Sequence, residues 1–295
     1  MELVRPDAVV IGAGVIGASI AWRLRQAGLD VDLVDAATLG AEASSASAGI
    51  LAPGEDLAAE SMALYPSFVA ELSSASGRPI DYGICGSWTD GIFRPGDGYV
   101  DPRDVLAALR VVLLDGGVRL RENTPCHSID TASAGAIILA AGAWSSSVEV
   151  HHRGRLLPLV RAVPVKGHLL GYRLAPGSLG PIRWSGHTYI LQRGTGFTIA
   201  GSTEESAGFD RSVDSRICND IHAGASALWP ELASHAPAEC WIGFRPDTED
   251  HQLQLGRVGD SNLWTAYGHY RNGILLAPVT AQRIASDVIS SLGKG

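Results

Sequence analysis

Residues 9–35 read VVIGAGVIGASIAWRLRQAGLDVDLVD, and this stretch decides the fold of the chain. An apolar run leads into a glycine string at Gly12–Gly17. A helical pattern follows and stops at Gly28, after which a second apolar run, 31–34, ends on Asp35. The order of strand, glycine turn, helix, strand and acid is typical of a dinucleotide-binding unit.

Each glycine of such a turn has a physical role. Gly12 permits the tight turn off the strand, Gly14 lets a diphosphate approach the backbone, and Gly17 lets the helix pack closely on the strand. The helix start offers free N–H groups and the positive end of its dipole to a phosphate. Asp35 is placed to accept hydrogen bonds from a ribose diol. The motif alone leaves open whether the ligand is FAD or NAD, and a glycine-rich turn in an ordinary α/β protein is the alternative.

The composition is that of a globular protein. The chain has 295 residues, 46% of them hydrophobic and 18% charged, which is enough for a large core and two domains. A net charge of −8 argues against nucleic acid or an anionic membrane as the main partner. No apolar run approaches the ~20 residues that span a bilayer, and the first predicted strand begins too early for a secretory leader. We therefore expect a cytoplasmic protein that binds neither nucleic acid nor membrane.

The four cysteines lie far apart in the sequence; they are Cys85, Cys126, Cys218 and Cys240. None is part of a CxxC pair or a Cys/His cluster, so we expect free thiols in a reducing compartment rather than a disulfide scaffold. The pair His151-His152 has no further ligand-type residues nearby. We interpret it as a solvated loop and expect no metal site.

The remaining patterns indicate α/β units at both ends of the chain and a β-rich middle. Helices are predicted over 58–74, 102–114, 211–229 and 278–292, and strands over 136–140, 164–172, 189–200 and 263–267. We therefore expect an α/β fold (α+β overall): a Rossmann-like nucleotide-binding domain with an inserted domain built on a mixed or antiparallel sheet. The expected ranges are 1–60, 99–155 and 240–295 for the nucleotide-binding domain, and 61–98 and 156–239 for the substrate-binding domain.

Four further segments carry a family resemblance: the small-residue loop 43–51, AAGAW at 140–144, WIGFRPDTED at 241–250 and GHYRNGILLAP at 268–278. Together with the glycine turn they resemble the D-amino-acid oxidase superfamily of flavoproteins. Within that superfamily the chain is most similar to the glycine oxidases, which are associated with thiamine biosynthesis. The last segment is highly specific, and the five segments occur in the family's order.

The resemblance implies a non-covalently bound FAD. It assigns the cofactor contacts to Gly12, Gly14, Val15, Ile16, Gly17, Asp35, Ala36, Ala43, Ser44, Ala48, Gly49, Ile50, Cys126, Ala141, Gly142, Trp144, His269, Tyr270, Arg271, Asn272, Gly273, Ile274 and Leu275.

The resemblance also implies that Arg245 binds the carboxylate of a small amino-acid substrate, with Tyr189, His187 and Arg271 in the same pocket. A planar guanidinium binds a carboxylate through two parallel hydrogen bonds, which independently favours Arg245. The alternatives are an ordinary salt bridge for Arg245, a bracing role for Arg271 and a core position for Tyr189. We interpret Trp184 as a packing residue, and no residue is assigned as a catalytic acid or base.

The implied reaction is oxidative deamination of glycine or small D-amino acids. It gives a 2-oxo acid, ammonia and hydrogen peroxide by hydride transfer to flavin N5, with oxygen as the acceptor. The alternatives are a D-amino-acid or sarcosine-type N-methyl amine oxidase, or a dehydrogenase that uses another acceptor. A nicotinamide dehydrogenase would share only the first motif, and a non-catalytic flavin-binding module is a further alternative. Members of the superfamily often form homo-oligomers, so self-association is also expected.

The chain departs from the family in length. The stretches 51–99 and 124–136 are shorter than usual, so we expect a more open substrate pocket. Glu204 also stands where an apolar side chain is usual. If it faces the pocket it disfavours acidic substrates, and if it faces solvent it has no effect on specificity.

Overall fold

The computed structural model describes residues 5–54 and 56–294. The expected domain ranges also include residues 1–4, 55 and 295, which lie outside the described residues. The α-helices are α1 (Val15–Gln26), α2 (Ala43–Ala46), α3 (Leu57–Ser76), α4 (Pro102–Asp115), α5 (Ser215–Leu228) and α6 (Gly273–Ser291).

The strands are named in chain order. They are β1 (Ala8–Ile11), β2 (Val31–Val34), β3 (Ile50–Leu51), β4 (Tyr82–Ile84), β5 (Ser87–Thr89), β6 (Ile92–Arg94), β7 (Gly98–Val100), β8 (Arg119–Arg121), β9 (Ser128–Asp130), β10 (Ala136–Leu139), β11 (Glu149–His152), β12 (Arg155–Leu156), β13 (Ala162–Arg173), β14 (Ile182–Ser185), β15 (Thr188–Gln192), β16 (Phe197–Gly201), β17 (Glu239–Thr248), β18 (Gln254–Arg257) and β19 (Leu263–Tyr267).

The first sheet carries the glycine turn. In the described part of the chain it has six strands in the order β18-β19-β10-β1-β2-β8. All neighbouring strands are parallel except β18 and β19. The glycine turn leaves the C-terminal end of β1, which lies between β10 and β2, and open parallel sheets bind their ligands at this end. The Rossmann-like part of the predicted fold is confirmed.

Helices α1, α4 and α6 pack on the first sheet, and α3 packs on α4 and α6. The sequence places most of α3 in the substrate-binding domain, but its apolar residues Tyr65, Phe68 and Leu72 are buried in the core of the first sheet. They recur at the three- and four-residue spacing that puts side chains on one helix face. This face therefore anchors α3 beside the cofactor-binding sheet.

The second sheet has seven strands in the order β17-β13-β16-β15-β14-β5-β6, counted over the described residues. Its neighbours are antiparallel except for β14 and β5, so the predicted mixed sheet is confirmed. β17 pairs with β13 along its whole length, although the sequence places residues from 240 onward in the other domain. This pairing brings a segment of the C-terminal part of the chain into the second sheet. The domain boundaries themselves remain predictions.

Two helix starts differ from the expected positions. α5 begins at Ser215 rather than 211, because the Asp214 carboxylate caps it by accepting from the Arg216 N–H at 2.8 Å. α6 begins at Gly273, with Pro278 inside the helix. Pro278 lacks the N–H that would bond the carbonyl of Ile274. The Tyr65 hydroxyl donates to that carbonyl at 2.9 Å, so the group stays satisfied.

The β-rich middle contains one more turn than expected, since 189–200 forms the two strands β15 and β16. Gly196, between them, has a φ of +86° that glycine adopts without strain.

The prediction of four free thiols is wrong for two of them: Cys218 on α5 and Cys240 on β17 form a disulfide, whereas Cys85 and Cys126 are free. Packing of α5 on the second sheet brings the two cysteines together, which their spacing in the sequence cannot reveal.

Among the described helices, none is long and apolar enough to cross a membrane.

Candidate cofactor and substrate site

A cavity of about 550 Å³ extends from the glycine turn to the second sheet. Its volume lies within the usual range for small-molecule sites. Most of the predicted cofactor residues line it: Gly12, Gly14, Val15, Ile16, Asp35, Ala36, Ala43, Ser44, Ala48, Gly49, Ile50, Cys126, Ala141, Gly142, Trp144, His269, Tyr270, Arg271, Gly273 and Ile274. The predicted substrate residues Arg245 and Tyr189 line the same cavity.

Four predicted site residues do not line the cavity: Gly17, Asn272, Leu275 and His187. A Cβ on Gly17 would lie 1.9 Å from the Gly12 carbonyl oxygen, so this glycine lets α1 approach the turn. Leu275 is buried in the core and Asn272 precedes α6. His187 is exposed between β14 and β15, where its carbonyl accepts from the Ser202 N–H at 3.2 Å.

The glycine turn is held by side chains on both sides. Gly12 has a φ of +104°, and a Cβ there would lie 2.4 Å from the Ala140 carbonyl oxygen. Asp35 accepts from the backbone N–H of Ala13 at 2.6 Å and of Ala37 at 2.7 Å. Ser44 Oγ accepts from the Val15 N–H at 2.9 Å. These bonds fix the start of α1, whose remaining first-turn N–H groups have no acceptor within the helix.

This end of the cavity fits a dinucleotide. Gly12 and Gly14 have no side chain to keep a diphosphate from the backbone, and the positive end of α1 favours its charge. Asp35 lies on the wall, one strand away from the turn. The segments around Ala141–Trp144 and His269–Ile274 complete the wall toward the second sheet, where a planar ring system finds mostly small or apolar neighbours.

Arg245 projects from β17 into the far end of the cavity. Its Nη1 donates to the Thr203 carbonyl oxygen at 2.8 Å and its Nη2 to Ser202 Oγ at 2.7 Å. None of the ion pairs among residues 5–54 and 56–294 involves Arg245. Burial lowers its pKa, but a guanidinium remains charged even so. A Cβ on Gly167 would lie 2.4 Å from Nη1, so the guanidinium fills the space above this glycine.

Tyr189 is buried on β15 beside Arg245. Burial raises the pKa of its phenol, which keeps the hydroxyl protonated and able to donate. Its ring lies 4.9 Å from that of Trp184, centroid to centroid, and Trp184 itself lines the cavity. The interpretation of Trp184 as a packing residue missed this, because no local pattern marks it. Only the pairing of β14 with β15 brings it to the site.

Arg271 forms an ion pair with Glu204 at 3.1 Å, and both side chains are about one-third exposed, at 35% and 32%. Glu204 also raises the pKa of the neighbouring Tyr270 phenol, although burial is the larger cause. The carboxylate of Glu204 therefore lies at the rim of the cavity, against Arg271. The two cations at this end differ: Arg271 is neutralised by an acid and Arg245 is not.

His269 is buried in the run that follows β19. Its Nε2 lies 3.1 Å from Thr280 Oγ1, and burial lowers its pKa to about 3. The imidazole is therefore neutral near pH 7 and brings no charge to the cavity wall.

Arg211 and Glu42 also line the cavity. The sequence missed Arg211 because 211–229 reads as one continuous helix.

Comparisons with known proteins agree with this geometry. The model of the family "DAO: FAD dependent oxidoreductase" matches residues 7–89 and 78–286. The glycine oxidase of Pseudomonas aeruginosa is 29% identical, over 96% of this chain and 94% of that protein. The bifunctional protein ThiO/ThiG of a Synechocystis strain is 31% identical over 96% of this chain, which spans only 51% of that protein.

The solved structure of glycine oxidase from Geobacillus kaustophilus superposes with a TM-score of 0.88 at 26% identity, covering 97% of this chain and 95% of that one. The alignment with the Pseudomonas aeruginosa protein spans 347 positions, whereas this chain has 295 residues, so some positions of the relative have no counterpart here. The resemblance predicted from the sequence, FAD included, is confirmed. The chain belongs to the FAD dependent oxidoreductase family and is a glycine-oxidase-like, FAD-dependent amino-acid oxidoreductase.

Proposed function

We propose that this enzyme oxidises glycine or a small D-amino acid to the corresponding 2-oxo acid, with oxygen as the electron acceptor. The observation that carries the proposal is Arg245, a largely buried guanidinium whose partners are a carbonyl and a hydroxyl rather than an acid. Buried charges are normally paired, so a carboxylate ligand is the partner this arrangement lacks. The similarity to the glycine oxidases of Pseudomonas aeruginosa and Geobacillus kaustophilus supports glycine as the substrate.

Arg245 binds the substrate carboxylate in this proposal. A guanidinium has five N–H donors, and Thr203 and Ser202 occupy two of them. Two parallel bonds to a carboxylate fix both the position and the plane of the substrate. The neutral phenol of Tyr189 supplies a further donor on the same side. Trp184 and Leu169 form the apolar wall of this end, which favours small side chains.

The pocket supplies little net charge to act on the substrate amine. Arg271 is neutralised by Glu204, and the substrate carboxylate neutralises Arg245 in this proposal. His269 is neutral and contributes no proton at pH 7. The side chains thus orient the amino acid, and the form that reacts is the one whose amine has lost its proton to water, without an assigned catalytic acid or base.

The residues of the glycine turn hold FAD in this proposal. Gly12, Gly14 and the start of α1 bind the diphosphate, Asp35 binds the ribose, and the segment His269–Ile274 lies along the flavin ring. When bound, FAD accepts the two electrons and the α-hydrogen of the substrate. Gly17, Asn272, Leu275 and His187 do not line the cavity, so the proposal gives them no direct contact with FAD or substrate.

The test is anaerobic mixing of the FAD-loaded enzyme with glycine, sarcosine and a panel of D-amino acids. We expect glycine or a small D-amino acid to bleach the flavin absorbance fastest, and we expect hydrogen peroxide once air is admitted. Fastest bleaching by sarcosine would identify an N-methyl amine oxidase instead. Bleaching without peroxide would overturn oxygen as the acceptor, and no bleaching by any amine would overturn the proposal.

A further inference from the structure

The segment Thr203–Asp214, here called the outer strap, joins β16 to α5 and has little regular structure. One of its residues, Arg211, lines the cofactor cavity although the strap follows a strand of the second sheet. Its first two residues, Thr203 and Glu204, contact the arginines of the substrate pocket, but neither that pocket nor the cofactor motif accounts for residues 205–214.

The strap is anchored to the second sheet by two buried groups on β13. The side chain of Lys166 is only 3% exposed, and its Nζ donates to Asp210 Oδ2 at 2.6 Å. His168 is fully buried, with Nδ1 2.8 Å from Glu205 Oε1. Its Nε2 accepts from the Asp214 N–H at 3.0 Å. Lysine is rarely buried without such a partner, so these bonds hold the strap at three points along its length.

Between these anchors, the strap contacts the cofactor side of the cavity. The ring of Phe209 stacks on Trp144, with centroids 4.7 Å apart and an interplanar angle of 25°. Arg211 Nη2 donates to Glu42 Oε1 at 2.7 Å. Trp144 and Glu42 both line the cavity, and both belong to segments that leave the first sheet. The two contacts therefore join the second sheet to the first across the cavity wall.

The position of Glu42 places the Arg211 contact near the diphosphate end. Glu42 immediately precedes α2, whose Ser44 accepts from the Val15 N–H at the start of α1. Because Glu42 neutralises the Arg211 guanidinium, the contact closes the wall at this point without adding net charge. The stack of Phe209 on Trp144 closes the wall next to the segment Ala141–Trp144.

We propose that the outer strap forms the outer wall of the FAD site, and that Phe209 and Arg211 retain the cofactor by clasping Trp144 and Glu42 across it. FAD leaves the site rapidly only after Phe209 has moved away from Trp144 and Arg211 from Glu42. The substrate side chain and the identity of the amine have no part in this role.

The experiment measures the rate of FAD release from the holoenzyme, without any amine, as free-flavin fluorescence after dilution. An aromatic pair contributes enough that Phe209→Ala is expected to speed release about three- to tenfold. The Arg211–Glu42 ion pair is exposed to solvent, so Arg211→Gln is expected to speed release about two- to fivefold. The increase should be smaller at high salt, because salt screens the pair in the parent enzyme. A double variant tests whether Arg211 and Glu42 act as a pair. Adding Glu42→Gln to Arg211→Gln should raise the rate of FAD release little beyond that of Arg211→Gln alone.

The chain provides matched controls. Phe93 is 43% exposed, as Phe209 is, and packs on Trp88 in the hairpin β5–β6 with centroids 5.0 Å apart and an interplanar angle of 45°; neither ring lines the cavity. Arg173 pairs with Glu239 at 3.0 Å and does not line the cavity either. Phe93→Ala and Arg173→Gln should release FAD at the rate of the parent enzyme.

Equal release rates from Phe209→Ala and Phe93→Ala, with both proteins folded by circular dichroism, would overturn the proposal. If Phe209→Ala fails to fold, Phe209→Leu keeps the bulk and removes the stack, and it should still release FAD faster than the parent. Because no amine is present, the result is independent of the proposed function. An enzyme that clasps FAD but is not bleached by any amine would refute only the proposed function.

Discussion

At the cofactor end of the cavity the wall is mostly backbone and small side chains, whereas at the substrate end it consists of arginines and aromatic rings. The cofactor end comes from three short stretches, within 11–50, 124–127 and 140–148. The substrate end comes from β14, β15, β17 and the turn before α6. A ligand bound by backbone leaves a local signature in the sequence. A ligand bound by side chains of distant strands leaves almost none.

The largest effect is expected at the cofactor end, from Gly12→Ala. The new Cβ would lie 2.4 Å from the Ala140 carbonyl oxygen, and a φ of +104° disfavours alanine in any case. We expect the protein to purify with little or no flavin, measured as the ratio of flavin to protein absorbance. Gly28→Ala is the matched control, because its φ of +83° is also positive but no atom of the described residues lies within 4 Å of the position its Cβ would take. Equal flavin content in the two variants would show that backbone approach does not decide cofactor binding.

Arg245→Met tests the substrate end. Removing one partner of a buried charged pair costs about 2–5 kcal/mol, so kcat/KM for the best substrate should fall roughly 30- to 3,000-fold. The flavin content should not change, because Arg245 lies at the far end of the cavity from the glycine turn. Steady-state kinetics and absorbance check both, with Arg173→Gln as the control. A variant that loses flavin along with activity would show that the two ends are not independent.

Glu204→Gln sharpens the contrast between the two arginines. Loss of the carboxylate removes the partner of Arg271 at the rim and leaves a second cation for a second substrate carboxylate. An ion pair between partly exposed groups contributes about 1 kcal/mol, so binding of the second carboxylate to Arg271 should raise kcat/KM for D-aspartate relative to glycine about fivefold. Glu239→Gln, which removes the partner of Arg173 instead, should leave the ratio unchanged. A ratio that stays constant in both variants would place Arg271 outside the substrate pocket.

The effect at His269 is on stability and its pH dependence rather than on the binding of cofactor or substrate. Because burial lowers its pKa to about 3, the native state stays unprotonated while the unfolded chain binds a proton below about pH 6.5. The free energy of unfolding should therefore fall as pH drops from 6.5 toward 3, with a contribution of at most about 1.4 kcal/mol per pH unit. His269→Asn should show a shallower loss between pH 7 and pH 5 in urea titrations. An identical slope in parent and variant would mean that burial does not lower the pKa of His269, because both states would then take up its proton at the same pH.

These differences also explain how far the sequence could predict the molecule. The glycine string, the alternation of α1 with β1 and β2, and the capped start of α4 depend on residues close in sequence, and the structure agrees with each. Trp184, Arg211 and the Cys218–Cys240 disulfide depend on which strands pair and how α5 packs. Such contacts arise from tertiary structure, so periodicity and spacing in a single sequence carry no information on them. Arg245 was found from its family motif, while its lack of an acidic partner emerged only from the structure.

Gly167 sets a limit on how the substrate range of this enzyme can be altered. Any larger residue there would displace the guanidinium of Arg245, since even a Cβ would lie 2.4 Å from Nη1 and 2.8 Å from the Thr203 carbonyl oxygen. In a mutagenesis library aimed at bulkier amino acids, position 167 must stay fixed, while Trp184 can be varied because it contacts the cavity with a ring that smaller residues can replace. The same constraint applies to natural variants. Changes of substrate specificity are therefore expected at residues of β14, while the residues that form the contact between β13 and β17 stay unchanged.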